Sequence, residues 1–218
     1  MANRIISPSV LSADFGNLRQ DIEMLNRSSA EWIHVDVMDG VFVPNISFGF
    51  PVMKTLRQYS TKPLDVHLMI THPERYVERF ADAGAWSIGF HLEAVSDPHP
   101  ILQQIRQKGC RTCLTINPDI EVERLEPYLA EVDMVLLMSV YAGYGGQAFI
   151  EDSYQRLQQL KQMITYRGLS TLIEVDGGVN PHNAERLFSM GADALVAGSA
   201  VFHTPDPERS ILQLKGVL

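Results

Sequence analysis

The sequence predicts one (β/α)8 barrel over residues 1–218, and three observations carry that expectation. Apolar runs of strand length alternate with longer amphipathic stretches eight times along the chain. Glycines and N-cap–proline pairs punctuate the junctions. Unusual polar residues gather directly after the apolar runs, at the strand ends where such barrels place their chemistry. A doubly wound open sheet is the alternative, but no Gly-x-Gly-x-x-Gly follows the first run.

The predicted strands are Ile5–Ser9, Trp32–Val37, Leu64–Met69, Ser87–His91, Thr112–Ile116, Met134–Ser139, Leu172–Val175 and Ala194–Ala197. The helical patterns between them are Leu18–Ser28, Pro51–Gln58, Glu74–Ala83, Pro98–Lys108, Glu121–Ala130, Tyr154–Tyr166, Pro181–Met190 and Glu208–Lys215. Thr71-His72-Pro73-Glu74 has the form of a capping box with proline in the first turn. Asp97-Pro98 and Asn180-Pro181 are N-cap plus proline starts. Gly84, Gly109, Gly168 and Gly191 stand where C-cap glycines belong. Ala83–Ile88 and Met190–Leu195 read as a weak internal repeat. No linker or low-complexity segment divides the chain.

A net charge of −8 argues against a general affinity for nucleic acid or a membrane surface. Loop amides can still select a small anion locally. No apolar run approaches the ~20 residues of a membrane span, and Met1-Ala2-Asn3-Arg4 has no signal-peptide core after it. The expectation is a soluble cytoplasmic protein. Cys110 and Cys113 have redox spacing, but they follow a helix stop and enter a strand, which favours core packing.

The chemistry collects in three segments: His34-Val35-Asp36-Val37-Met38, Asp65-Val66-His67-Leu68-Met69 and Glu174-Val175-Asp176. In a strand, residues i and i+2 share a face. His34, Asp36, His67 and Asp176 can therefore close around one divalent metal; Zn, Fe(II), Mn and Co all suit such donors. A buried polar network without metal is the plainer alternative. Asp36 and Asp176, on strands two and seven, could also serve as a proton-exchanging pair on two faces of a substrate carbon. Alternatively both are only ligands and a water carries the protons. Asp65 and Glu174 lie one layer deeper and would orient ligands.

Gly143-Tyr144-Gly145-Gly146-Gln147, Gly177-Gly178 and Gly198-Ser199 follow strands six, seven and eight. Glycine loops there let backbone amides approach a phosphate closely, although turns use glycine in any case. Met38, Met69 and Met138 fall near the same rim, as core filler or as an apolar wall that excludes water. Asp14 and Asp39 read as a cap and a turn residue.

Over its whole length the chain resembles the ribulose-phosphate 3-epimerases. The matching segments are Ser7–Phe15, His34–Asn45, Asp65–Met69, Gly143–Ile150 and Glu174–Val179. The resemblance implies a (β/α)8 barrel, a divalent metal and inversion at C3 between D-ribulose 5-phosphate and D-xylulose 5-phosphate. It implies His34, Asp36, His67 and Asp176 as ligands, with Asp36 and Asp176 as acid and base. It also implies substrate contacts from Ser9 and His67, a phosphate site at Gly145, Gly146, Gly178, Gly198 and Ser199, and homo-oligomers from dimer to hexamer. Three departures stand out: Tyr141-Ala142-Gly143 lacks the usual proline before the loop glycine, Tyr144 replaces the usual Phe, and Asn117-Pro118-Asp119-Ile120 lacks the common Thr-Pro.

The nearest competing reading is a ketohexose-6-phosphate 3-epimerase with the same ligands. Asp176-Gly177-Gly178 and Gly198-Ser199-Ala200 favour the pentose enzyme. Related decarboxylase barrels need a lysine where Met38 stands. A non-catalytic sugar-phosphate sensor would have eroded a ligand or a carboxylate, and none is eroded here.

Overall fold

In the computed structural model, which describes residues 4–218, the eight apolar runs pair as parallel strands: β1 (Ile5–Pro8), β2 (Ile33–Met38), β3 (Leu64–Met69), β4 (Ala85–His91), β5 (Arg111–Ile116), β6 (Met134–Met138), β7 (Leu172–Asp176) and β8 (Ala194–Ala197). The order around the sheet is β1-β8-β7-β6-β5-β4-β3-β2. The seam between β1 and β2 is closed by a parallel bridge between Ser9 and His34. Below it the Glu31 N–H donates to the Ile6 carbonyl at 3.1 Å, and the Ile6 N–H donates to the Glu31 carboxylate at 3.0 Å. This is the predicted (β/α)8 barrel. Because parallel strands are covered on both faces, the outward residues of the strands pack into one continuous core with the helices, including Ile6, Val35, Val66, Ile88, Leu114, Val135, Ile173 and Leu195. The barrel interior is mixed. Ile5, Trp32, Met134, Leu136 and Val196 form an apolar cluster, beside buried Ser7, His34, Asp65, Ser87 and Glu174.

The helices are α1 (Leu18–Arg27), α2 (Phe50–Tyr59), α3 (Val77–Asp82), α4 (His99–Gln107), α5 (Ser153–Tyr166), α6 (Ala184–Ser189), α7 (Ser199–Phe202) and α8 (Pro207–Leu214). Gly84, Gly109, Gly168 and Gly191 all adopt positive φ, as the predicted C-caps require. Among the described residues, no helix is long and apolar enough to cross a membrane.

Three local expectations are corrected. The helix expected over Glu121–Ala130 is a 3-10 turn, Val122–Leu125, followed by further turns. Pro127 explains this, because it lacks an N–H and blocks the preceding turn. The capping box at Thr71 does not form. Thr71 instead donates its backbone N–H and its hydroxyl to Asp39 Oδ2, at 2.7 and 2.8 Å. His72 turns left-handed (φ 53°), and α3 starts only at Val77. After Asn180-Pro181 a turn intervenes and α6 begins at Ala184. The structure also contains short α7, directly after β8, which the helical pattern did not predict.

Cys110 and Cys113 are buried and unpaired. Burial pushes the Cys110 thiol up and the Cys113 thiol up further. Raised thiols suit packing rather than redox exchange.

Candidate active site

The two-residue period of β2 brings His34 and Asp36 to the barrel interior, and that of β3 does the same for Asp65 and His67. Asp176 is the last residue of β7, separated from β2 by β8 and β1. One nitrogen from each histidine and one oxygen from each of Asp36 and Asp176 lie within 4.8 Å of one another. His34 Nε2 is 3.3 Å from Asp36 Oδ1 and 3.8 Å from Asp176 Oδ2. His67 Nδ1 is 3.2 and 3.9 Å from the same two atoms. All four predicted ligands thus converge on one point.

The surroundings aim these donors. Asp65 Oδ2 contacts His34 Nδ1 at 2.7 Å and Asp65 Oδ1 accepts from the Ser87 hydroxyl at 2.5 Å. With Nδ1 occupied in this way, His34 Nε2 is a buried polar atom without a hydrogen-bond partner. An unpaired nitrogen at the focus of a second imidazole and two carboxylates is what a cation site requires. These residues therefore fit a metal ion. Asp65 acts from behind, as expected. Glu174 is fully buried beside it, with neither carboxyl oxygen hydrogen-bonded.

Burial and charge push the two central carboxyls apart. Burial works to raise the Asp36 pKa, but His34 and His67 outweigh it and hold the group well below the ordinary range. For Asp176, burial and the adjacent Asp36 charge act together and push it up to about 7. Burial also drives Glu174 well above its usual value, reinforced by the Asp65 charge. Burial opposes a charge on His34, yet Asp36 and Asp65 prevail and hold its pKa well up. For His67 and His91 burial dominates; His91 falls to about 4.

Above this cluster opens a cavity of about 320 Å³. Asp36 and Asp176 reach its floor, and Ser9, Met38, Met69 and Met138 line it. Gly143, Gly145, Gly146 and Gln147 from the loop after β6 border it, with Gly177, Gly178, Gly198 and Ser199 from the next two loops. Every predicted loop residue is therefore present. His34 and His67 lie beneath the cavity and do not line it. The glycines at 177 and 178 are demanded by the backbone, with φ of +118° and +64°. A side chain on Gly178 would stand 2.5 Å from the Phe149 backbone nitrogen.

Sequence reasoning missed two parts of this site. Ser12 and Asn180 also line the cavity. His91, Glu93 and Asn117 form a hydrogen-bonded chain behind His67. The departures in the loop after β6 have structural counterparts: the Ala142 N–H, which a proline would lack, donates to Asn117 Oδ1 at 3.0 Å, and the Tyr144 hydroxyl donates to the Pro44 carbonyl at 3.1 Å. A polar residue at the end of β4 and another just after β5 were the available signal for His91 and Asn117. Their partnership was not readable.

Residues 5–202 match the model of the ribulose-phosphate 3-epimerase family. The chain belongs to this family. It is 46% identical over 211 residues to ribulose-phosphate 3-epimerase of Synechocystis, covering 96% of this chain and 92% of that protein. It is 41% identical over 219 residues to ribulose-phosphate 3-epimerase of Escherichia coli, covering 100% and 97%. The family makes the chain an isomerase of the epimerase type. Its fold is shared more widely. The tryptophan synthase α-subunit of Pyrococcus furiosus superposes with a TM-score of 0.74 at 16% identity, covering 99% of this chain and 98% of that one. At that identity the likeness concerns the barrel alone.

Proposed function

We propose that this epimerase interconverts D-ribulose 5-phosphate and D-xylulose 5-phosphate by moving protons at C3 between Asp36 and Asp176. The observation that carries this reading is the pair itself: two carboxyls on the floor of one cavity, one held ionised and the other pushed up to about 7. Opposed pKa values in neighbouring carboxyls assign a base and an acid. Without the cation Asp36 is the ionised member of the pair and Asp176 the protonated one; in the reaction Asp36 would take the C3 proton and Asp176 would return one to the other face. Afterwards the proton states are exchanged, which loads the site for the reverse reaction.

His34, Asp36, His67 and Asp176 would hold one divalent cation; the nitrogen–carboxylate set suits Zn, Fe(II), Mn or Co. When bound, the cation supplies Lewis-acid polarisation of the substrate oxygens and stabilises the charge of an enediolate. Met38, Met69 and Met138 set apolar side chains beside the carboxyls and limit water around the reacting carbon. Gly145, Gly146, Gly178, Gly198 and Ser199 sit where backbone amides can receive a phosphate group. Ser9 holds Asp36 and borders the substrate space. The chain's acidity is compatible with a cytoplasmic sugar-phosphate enzyme.

The test is proton NMR of the metal-loaded protein with D-ribulose 5-phosphate in D2O. C3-deuterated xylulose 5-phosphate should appear, vanish on chelation and return with metal. Asp36→Asn and Asp176→Asn should each lower kcat by at least ~10²-fold, as loss of a proton-transfer group does. Near-normal turnover in either metal-loaded variant sinks the two-carboxylate scheme. Activity on a ketohexose 6-phosphate but not on the pentose would reassign the substrate.

A further inference from the structure

Behind the cluster runs a buried chain of polar atoms that the proposed reaction does not use. His67 Nε2 and His91 Nε2 are 2.9 Å apart. Their ring centroids are 5.0 Å apart and their planes inclined by 22°, so with 2.9 Å between them the two nitrogens face each other. On its other side His91 Nδ1 lies 3.1 Å from Glu93 Oε1, and the same oxygen accepts the Asn117 N–H at 2.9 Å. His91 is fully buried, so its hydrogen bonds must be made inside the protein.

With a cation in the cluster, donor and acceptor accounting fixes the direction of this chain; without one, the Asp36 carboxylate 3.2 Å from His67 Nδ1 would call for a proton on that nitrogen. A carboxylate only accepts, so the His91 nitrogen facing Glu93 carries a proton. Asn117 Nδ2 is also near that nitrogen, at 3.4 Å, but the charged Glu93 oxygen is closer and forms the stronger bond. A neutral His91 then has a bare Nε2, which accepts a proton from His67 Nε2. His67 in turn has a bare Nδ1, the atom that faces Asp36 and Asp176. The opposite direction would set a bare His91 nitrogen against the Glu93 carboxylate.

We infer that His91 and Glu93 are positioning residues that lock His67 in the Nε2–H tautomer, so that its Nδ1 is presented to the cation as a ligand. This rests on the reading that the cluster holds a divalent metal. Histidine ligands are commonly oriented in this way through their second nitrogen. Here the orienting partner is another histidine, itself oriented by a carboxylate.

The test uses the full chain stripped of metal and titrated with Co(II), followed by visible absorption. His91→Phe keeps the ring and cannot accept the His67 proton; it should weaken Co(II) binding ~10–100-fold. Glu93→Gln removes only the charge and should weaken binding about tenfold. His91→Gln, whose amide oxygen can accept that proton, should recover much of the loss. In the Zn-loaded wild type, nitrogen-15 NMR should show the proton on Nε2 of His67 and on Nδ1 of His91. Unchanged Co(II) affinity in a folded His91→Phe protein overturns the inference, as does a proton on His67 Nδ1. Glu93→Gln decides the matter by the same titration should His91→Phe fail to fold. A wild-type protein that binds no Co(II) overturns the metal reading itself, and this inference with it.

Discussion

Ser9 donates its hydroxyl to Asp36 Oδ2 at 2.5 Å, while the same hydroxyl oxygen accepts the Leu11 N–H at 3.3 Å. The backbone donor fixes which way the hydroxyl points, so its proton is committed to the carboxylate. A hydrogen bond to an ionised acceptor stabilises that form and lowers its pKa. Ser9→Ala should therefore raise the Asp36 pKa. The acidic limb of the kcat/KM profile, where the base must be ionised, should move to higher pH by about 1–2 units. A profile that overlays the wild type would mean that Asp36 is not the base observed in that limb.

The metal-free protein should lose stability as pH rises. Asp176 has a folded pKa near 7 against an ordinary value of 3.8. Between those values the folded state binds the extra proton, so its contribution is complete below 3.8 and lost as pH rises through 7. Glu174 is shifted upward in the same sense. His34, raised above 6.5, adds stability that is also lost as pH rises. Asp36 is depressed, and so are His67 and His91; these three oppose the trend only as pH falls below 6.5, where their contributions disappear. Added Zn(II) competes with these protons, so the gain in Tm on metal addition should be larger at pH 8 than at pH 6. Thermal melts at both values, with and without metal, decide it; an equal gain contradicts the assignment.

The loop after β6 is held by side chains from other loops. Tyr144 donates to the Pro44 carbonyl, Asn45 Nδ2 donates to the Gly143 carbonyl at 3.0 Å, and Asn117 accepts from Ala142. Tyr144→Phe deletes one neutral, half-exposed bond worth about 0.5–1.5 kcal/mol. Steady-state kinetics should show KM raised about 2–10-fold with kcat little changed, the pattern of lost uniform binding. A fall in kcat at constant KM would place the hydroxyl in the chemical step.

Gly178 combines a left-handed backbone with a close approach to Phe149. Gly178→Ala should cost about 1–3 kcal/mol of stability, because strain and a backbone clash add. The same change should weaken binding of inorganic phosphate, since Gly178 lines the cavity. Calorimetry with phosphate and a denaturant melt check both. A stable variant that binds phosphate normally would remove Gly178 from the anion site.

The barrel and the His/Asp cluster were legible because both depend on short-range periods. Apolar runs and capping glycines specify strands and helix ends locally. The i, i+2 spacing of His34 with Asp36, and of Asp65 with His67, puts each pair on one face of its strand whatever the rest of the chain does. What tertiary structure decided was competition between near and distant partners. Thr71 could have capped its own helix, but Asp39, 32 residues earlier, takes both of its donors. Glu93 could have been one more surface acid after β4, but it accepts from His91 and from Asn117 at the end of β5. Which nitrogen of His67 faces the cluster follows from that junction between strands. A hydrogen bond specifies direction only once both partners are placed, and the strands that carry them meet only when the barrel closes.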